Sequence, residues 1–182
     1  GIVHNDIKAA NIFFTSSGQL KISDTYIANA VFIINELSKS NPKQPPTWKA
    51  PEFFARNYLE HSNINLVHPK LSNQTDIWSL GITILEMFEG KPPNHDADLD
   101  QLSVLYTAPL LLPSAPSTSS SLFKQFLDRI LVKSPSERSS SEELLRSSFV
   151  QQISLEQSCD VIKDLSKRYI QLMKEQVSDE SE

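Results

Sequence analysis

Cysteine, glycine, positive charge and long apolar runs are all scarce in this chain. Its single cysteine, Cys159, leaves no partner for an intramolecular disulfide, and such usage fits a reducing compartment such as the cytoplasm. The four glycines stand at positions 1, 18, 81 and 90. So widely scattered, they cannot form a G-x-G-x-x-G loop of the kind that cradles phosphates. No apolar run nears the roughly 20 residues of a membrane-spanning helix, and no signal-peptide pattern opens the chain. Lys and Arg number 17 against 22 Asp and Glu, a net charge of −5, which lacks the basic footprint of a nucleic-acid binder. What is present is 39% hydrophobic residues over 182 positions, enough for one domain, or part of a larger one, with a sizeable core. The chain opens on Gly1 rather than Met, as a fragment or a processed product would.

The pattern along the chain is mainly helical after a short strand-and-loop start. Asn11-Ile12-Phe13-Phe14 and Leu20-Lys21-Ile22 are apolar runs joined by Ser16-Ser17-Gly18-Gln19, a hairpin signal. From about Thr25 to Thr47 no period holds, and Pro42, Pro45 and Pro46 forbid continuous helix, so this stretch reads as a long loop. A helix is expected over Asn73 to Glu89, capped by Thr75 or a neighbour, with Asp76 near its positive end and Gly90, Pro92 and Pro93 as its stop. Its apolar residues cover most of the circumference, which predicts burial on nearly all sides. Further helices are expected over residues 122–131 and after Ser140, where Ser140 and Glu143 fit a capping box. A last one runs from about Leu155 to Val177, with Cys159, Ile162, Leu165, Tyr169 and Leu172 at spacings of three and four. That periodicity reads first as a packed amphipathic helix and second as a seat for a partner protein. The acidic tail 178–182 is expected to fray.

The informative stretch is His4-Asn5-Asp6-Ile7-Lys8-Ala9-Ala10-Asn11. It resembles the catalytic loop of the protein kinases, H-R-D-L-x-x-x-N. Asp24-Thr25-Tyr26 stands where the family's D-F-G follows a hairpin, and Ala50-Pro51-Glu52 matches A-P-E. Asp76-Ile77-Trp78-Ser79-Leu80-Gly81 matches the opening of a buried helix, and Arg138 matches a lone late arginine. Five motifs in the family's order span about residues 2–150. Lys8, two positions after Asp6, is similar to serine/threonine kinases. Thr75 to Thr83 followed by Glu89-Gly90-Lys91-Pro92-Pro93 resembles the Ste20-like group.

Phosphoryl transfer asks a protein mainly to position groups and to neutralise charge. Asp6 is a carboxylate suited to take or orient the proton of a substrate hydroxyl, and Lys8 a cation to set beside the moving phosphate. Asn11 and Asp24 offer hard oxygens for Mg²⁺. The resemblance therefore implies Asp6 and Lys8 as catalytic residues, Lys8, Asn11 and Asp24 as ATP-binding ones, and Asn11 and Asp24 as metal ligands. It also implies that Asp76 accepts the N–H groups of the catalytic loop, and that Glu52 and Arg138 form a buried pair bracing the segment between Asp24 and Glu52. His4 reads as structural. His61, His68 and His95 lack metal-ligand spacing and read as surface residues. The implied fold is mainly α, a kinase-like C-terminal lobe with a small β-hairpin beside the catalytic loop and the N-terminal lobe absent. Residues 1–150 would be the partial kinase domain, and 151–182 an appended amphipathic helix and tail. The implied partner is a protein carrying a Ser or Thr hydroxyl, with neither nucleic acid nor membrane.

The chain departs from the family pattern at four places. Asn5 replaces the arginine that grips a phosphorylated loop in many kinases, which weakens the case for switching by phosphate at Ser38, Ser40 or Thr47. Thr25 replaces a phenylalanine, and Tyr26 a glycine whose backbone freedom is thereby lost. Pro45 falls where many relatives carry a threonine hydroxyl, a role Thr47 is placed to take over. Three readings follow: part of an active kinase, a pseudokinase acting as an allosteric or scaffolding module, or a short scaffold that uses this surface and its last helix to bind a partner. Without a glycine-rich loop and its partner lysine, residues 1–182 alone are expected to bind Mg·ATP negligibly.

Overall fold

A computed structural model describes residues 2–23, 47–54, 72–98, 101–102, 104–105, 108 and 112–179. The long-loop expectation for residues 25–47 lies outside them save for Thr47. A short 3-10 turn, Ala9–Asn11, leads into an antiparallel hairpin of β1 (Ile12–Phe14) and β2 (Leu20–Ile22). The register pairs Ile12 with Ile22 and Phe14 with Leu20, which sets these four apolar residues on one face. Gly18 closes the turn at φ +80°, a conformation other residues resist. Phe13, Phe14, Leu20 and Ile22 are all about half exposed, so this two-stranded unit lacks the cover such hairpins need.

Helix α1 (Asn73–Glu89) is the centre of the structure. Its N-cap is Ser72, whose N–H donates to Thr75 Oγ1 at 3.2 Å, and its C-terminus turns left-handed at Gly90, whose N–H returns to Glu86 O. Trp78, Ile82 and Leu85 are fully buried against α2 (Ser121–Ile130), which contributes Phe123, Phe126, Leu127 and Ile130. Ala50, Phe54, Leu102, Leu131 and Leu144 complete the same core. Each buried Leu, Ile or Phe among them is worth about 1.5–3 kcal/mol. The close approach of α1 and α2 depends on Gly81: a Cβ there would lie 2.5 Å from Ile130 Cγ2 and 2.8 Å from Leu131 Cδ2.

Burial of α1 does not extend to its last turn. Met87 and Phe88 are 67% and 53% exposed, although the Phe88 ring still stacks on Phe123 with centroids 5.7 Å apart. The expectation of a helix covered on nearly all sides is corrected there, because α2 meets the last turn through Phe123 alone among the described residues and leaves Met87 and half of Phe88 open.

Helix α3 (Ser141–Leu145) begins at the expected capping box: Ser140 N–H donates to Glu143 Oε2 at 2.7 Å, and Glu143 N–H to Ser140 Oγ at 3.3 Å. Helix α4 (Leu155–Asp179) touches the hairpin near its start, where the Cys159 carbonyl would sit 2.3 Å from a Cβ at Gly18. Beyond that contact it stands largely clear. Val161, Leu165, Tyr169, Ile170 and Leu172 are all more than half exposed, so the reading of a packed helix is also corrected. Periodicity fixed which residues share a stripe, but no neighbouring element among the described residues covers it. No helix among those residues is long and apolar enough to cross a membrane.

Candidate active site

The loop before β1 is built by its backbone bonds. Asp76, in the first turn of α1, accepts the N–H of His4 on Oδ2 and that of Asn5 on Oδ1, both at 2.7 Å. One carboxylate thus holds two successive peptide groups, and charge-assisted bonds of this kind are among the strong ones. Asn5 can take the resulting bend because it sits at φ +66°, where asparagine is one of the few tolerated side chains. His4 links the loop to Ser23, the residue after β2. Its Nε2 is 2.8 Å from Ser23 O, and its Nδ1 accepts the Asp6 N–H at 3.2 Å. A carbonyl only accepts, so this pattern assigns the hydrogen to Nε2.

The Asp6 side chain then projects where it is 30% exposed. Its Oδ2 receives Lys8 Nζ and Asn11 Nδ2, each at 2.9 Å. Asn11 Nδ2 also donates to Asp6 O at 2.8 Å. Both amide hydrogens of Asn11 are therefore committed to Asp6, which leaves its Oδ1 as the atom for a hard cation. Among the described residues Asp6 Oδ1 makes no hydrogen bond, so it remains an acceptor for an incoming hydroxyl. Asp6, Lys8 and Asn11 are thus brought together. Asp24 lies outside the described residues; the residue before it, Ser23, donates its N–H to Asn11 O at 3.0 Å. Among the described residues no three His, Cys, Asp or Glu side chains gather as a metal cage of their own.

The segment 47–54 runs beside this loop and is fastened independently. Ser79 Oγ donates to Trp48 O at 2.8 Å, and Trp48 Nε1 to Glu86 Oε2 at 2.8 Å. The same Glu86 oxygen accepts the Ala9 N–H at 3.3 Å, so one α1 carboxylate touches both segment and loop. Glu52 and Arg138 form the expected buried pair, bidentate at 3.0 and 3.2 Å. Arg138 further donates to the carbonyls of Gln74, Val132 and Lys133, and its guanidinium lies 5.3 Å from the Trp78 ring centre. Thr47 is buried in this arrangement, while Ser38 and Ser40 fall outside the described residues. Of the expected surface histidines, His95 is half-buried against Asp96, and His61 and His68 are not among the described residues.

One residue of the site was missed by sequence reasoning. Lys49 donates its ammonium to the carbonyl oxygen of Asn5 and lies 3.4 Å from Asn5 Oδ1. Burial pushes its pKa below the ordinary lysine range, with Lys8 acting the same way and Asp6 and Asp76 opposing. In sequence it is an unremarked cation between Trp48 and Ala50, with no local signal for its role.

The family described as protein kinase domain matches residues 1–150. The chain is 34% identical over 153 residues to the serine/threonine-protein kinase dst1 of Dictyostelium discoideum, covering 82% of this chain and 19% of that protein. It is 32% identical over 154 residues to the serine/threonine-protein kinase STE20 of Saccharomyces cerevisiae, covering 84% of this chain and 15% of that protein. The chain therefore spans about a fifth or less of these curated relatives.

Proposed function

This chain belongs to the protein kinase domain family, and we propose that it is the C-terminal-lobe part of a Ste20-like serine/threonine kinase. On this reading residues 1–150 carry the partial kinase domain, and the complete protein moves the γ-phosphate of ATP to a Ser or Thr hydroxyl of a protein. The observation that carries the proposal is the arrangement of Asp6: one carboxylate oxygen is held by Lys8 and Asn11, and the other is free to accept. Asp6 Oδ1 takes the proton of the substrate hydroxyl as that oxygen bonds to the γ-phosphorus. The bond from phosphorus to the bridging oxygen breaks, and ADP leaves. Lys8 places a positive charge at the edge of this reaction, and Asp76 keeps the loop in the conformation that aims Asp6.

Mg²⁺ and ATP, when bound, supply the phosphoryl group and neutralise its charge. The donor set suits them, because Mg²⁺ is usually held by one or two carboxylates together with phosphate oxygens. Asn11, through Oδ1, and Asp24 would hold the metal. The uncovered apolar face of the hairpin is the surface we assign to the other half of the nucleotide pocket. The exposed stripe of α4 is assigned to a partner protein, and the low cysteine content favours a cytoplasmic setting.

A kinase assay on the complete protein with Mg·ATP and a generic Ser/Thr protein substrate tests this. Positioned acid–base groups contribute about 10² to 10⁴-fold, so Asp6→Asn is expected to lower kcat by at least about 10²-fold. Unchanged turnover refutes the role of Asp6. The second reading, a pseudokinase that keeps the fold as an interaction module, is favoured by Thr25 and Tyr26 in place of the family's Phe-Gly. A complete, folded protein without any Mg·ATP turnover selects it.

A further inference from the structure

Most backbone polar groups of residues 4–6 in the catalytic loop have a named partner. The N–H groups of His4 and Asn5 go to Asp76, that of Asp6 goes to His4, and the Asp6 carbonyl goes to Asn11. The Asn5 carbonyl is held by a charged group from a different part of the chain, the Lys49 ammonium. The segment that carries Lys49 is fixed to α1 through Ser79 and Glu86 and to Arg138 through Glu52. Lys49 therefore joins two bodies that are each anchored elsewhere.

Its charge matters as well as its bond. Asp6 and Asp76 bring two negative charges to the loop, and among the described residues Lys8 and Lys49 are the cations that face them. A half-buried carboxylate pair with a single cation would carry net negative charge where a triphosphate has to approach, and low-dielectric surroundings magnify that repulsion. Asn5 fits this arrangement, since it offers Lys49 both a backbone and a side-chain oxygen. A cation at position 5 would repel the one at 49. The Lys49 ammonium also lies over the Phe53 ring, 5.8 Å from its centre, within cation–π range.

We propose that Lys49 is a positioning residue, a cationic tether that fixes the catalytic loop to the segment 47–54 and balances the charge around Asp6. This rests on the phosphotransfer reading for its consequence in turnover, but not for its consequence in loop order.

The test uses the complete protein and two independent measurements on Lys49→Met, Lys49→Gln and Lys49→Arg. The first is amide hydrogen exchange at His4 to Asp6, with residues 121–130 as an internal reference for global opening. Losing a bond to a charged donor is expected to speed exchange at the loop by about tenfold or more in Lys49→Met while the reference stays unchanged. Lys49→Arg is expected to restore protection. If Lys49→Met opens the reference too, the same comparison is made on Lys49→Gln, which keeps a donor but loses the charge. Loop exchange equal to wild type in the folded neutral variant overturns the proposal. The second measurement is steady-state kinetics, where kcat is expected to fall about tenfold in Lys49→Met and KM for ATP to rise, because the lost charge also faces the incoming triphosphate. Unchanged kcat in an active protein overturns it as well. A wild-type protein with no turnover removes the phosphotransfer reading, and the exchange measurement then still decides the tether.

Discussion

Breaking the Glu52–Arg138 pair should destabilise the protein more than any other single polar change in the described structure. The Arg138 side chain is fully buried and that of Glu52 is 8% exposed. Among the described residues, Arg138→Met leaves the Glu52 carboxylate with Thr75 Oγ1 alone, at 3.4 Å, and takes a donor from three backbone carbonyls. Removing one partner of a buried ion pair costs about 3–5 kcal/mol. The carbonyls are part-buried and regain some water, so their loss adds little beyond that range. Glu52→Gln keeps an acceptor for the guanidinium and is expected to cost less, about 1.5–3 kcal/mol, the value of a charged hydrogen bond. In the double variant the second substitution removes a group already without its partner. Its total should therefore fall short of the sum of the single costs by about 1.5 kcal/mol or more. Urea unfolding of the complete protein and the three variants measures all four states, and Trp78, beside Arg138, reports locally. Costs that add within about 0.5 kcal/mol, the tolerance for independent sites, would refute the reasoning.

Gly81→Ala should cost about 1–3 kcal/mol, since a methyl group there meets Ile130 and Leu131 well inside contact distance; a midpoint equal to wild type in the same urea experiment would show that α1 and α2 are not so closely packed. Hydrogen bonds from the Ser140 backbone and then its side chain hold Glu143 below the usual carboxylate range. A depressed carboxyl stabilises the fold above its unfolded pKa and loses that contribution as pH falls through the folded one. Exchange protection of the α3 amides should therefore decline toward acid in the wild type, with a flatter profile in Glu143→Gln, and parallel profiles would contradict the capping role.

Much of the architecture could be read from residue types. Gly90 followed by Pro92 and Pro93 marked the end of α1, and the Ser140–Glu143 spacing marked the start of α3, because caps are local chemistry. The clustering of Asp6, Lys8 and Asn11 was legible from a short motif for the same reason. The position of Lys49 was not, since its partner is 44 positions away and its neighbours in sequence carry no signal for it. Nor was the exposure of Met87, Phe88 and the α4 stripe, because amphipathic spacing says which face is apolar and nothing about what covers it. The fourth expected site residue, Asp24, lies outside the described residues, so only its neighbour Ser23 links it to Asn11 here.

Whether Asp6, Lys8, Asn11 and Asp24 work as one phosphotransfer centre is decided by a crystal structure of the complete protein with Mg²⁺ and a non-hydrolysable ATP analogue. An oxygen from each of Asn11 and Asp24 is expected on the metal at about 2.0–2.1 Å, the usual Mg²⁺ distance, with Lys8 beside the terminal phosphate and Asp6 Oδ1 facing open solvent or a substrate hydroxyl. Nucleotide bound away from this loop, or a metal that neither Asn11 nor Asp24 touches, would contradict it.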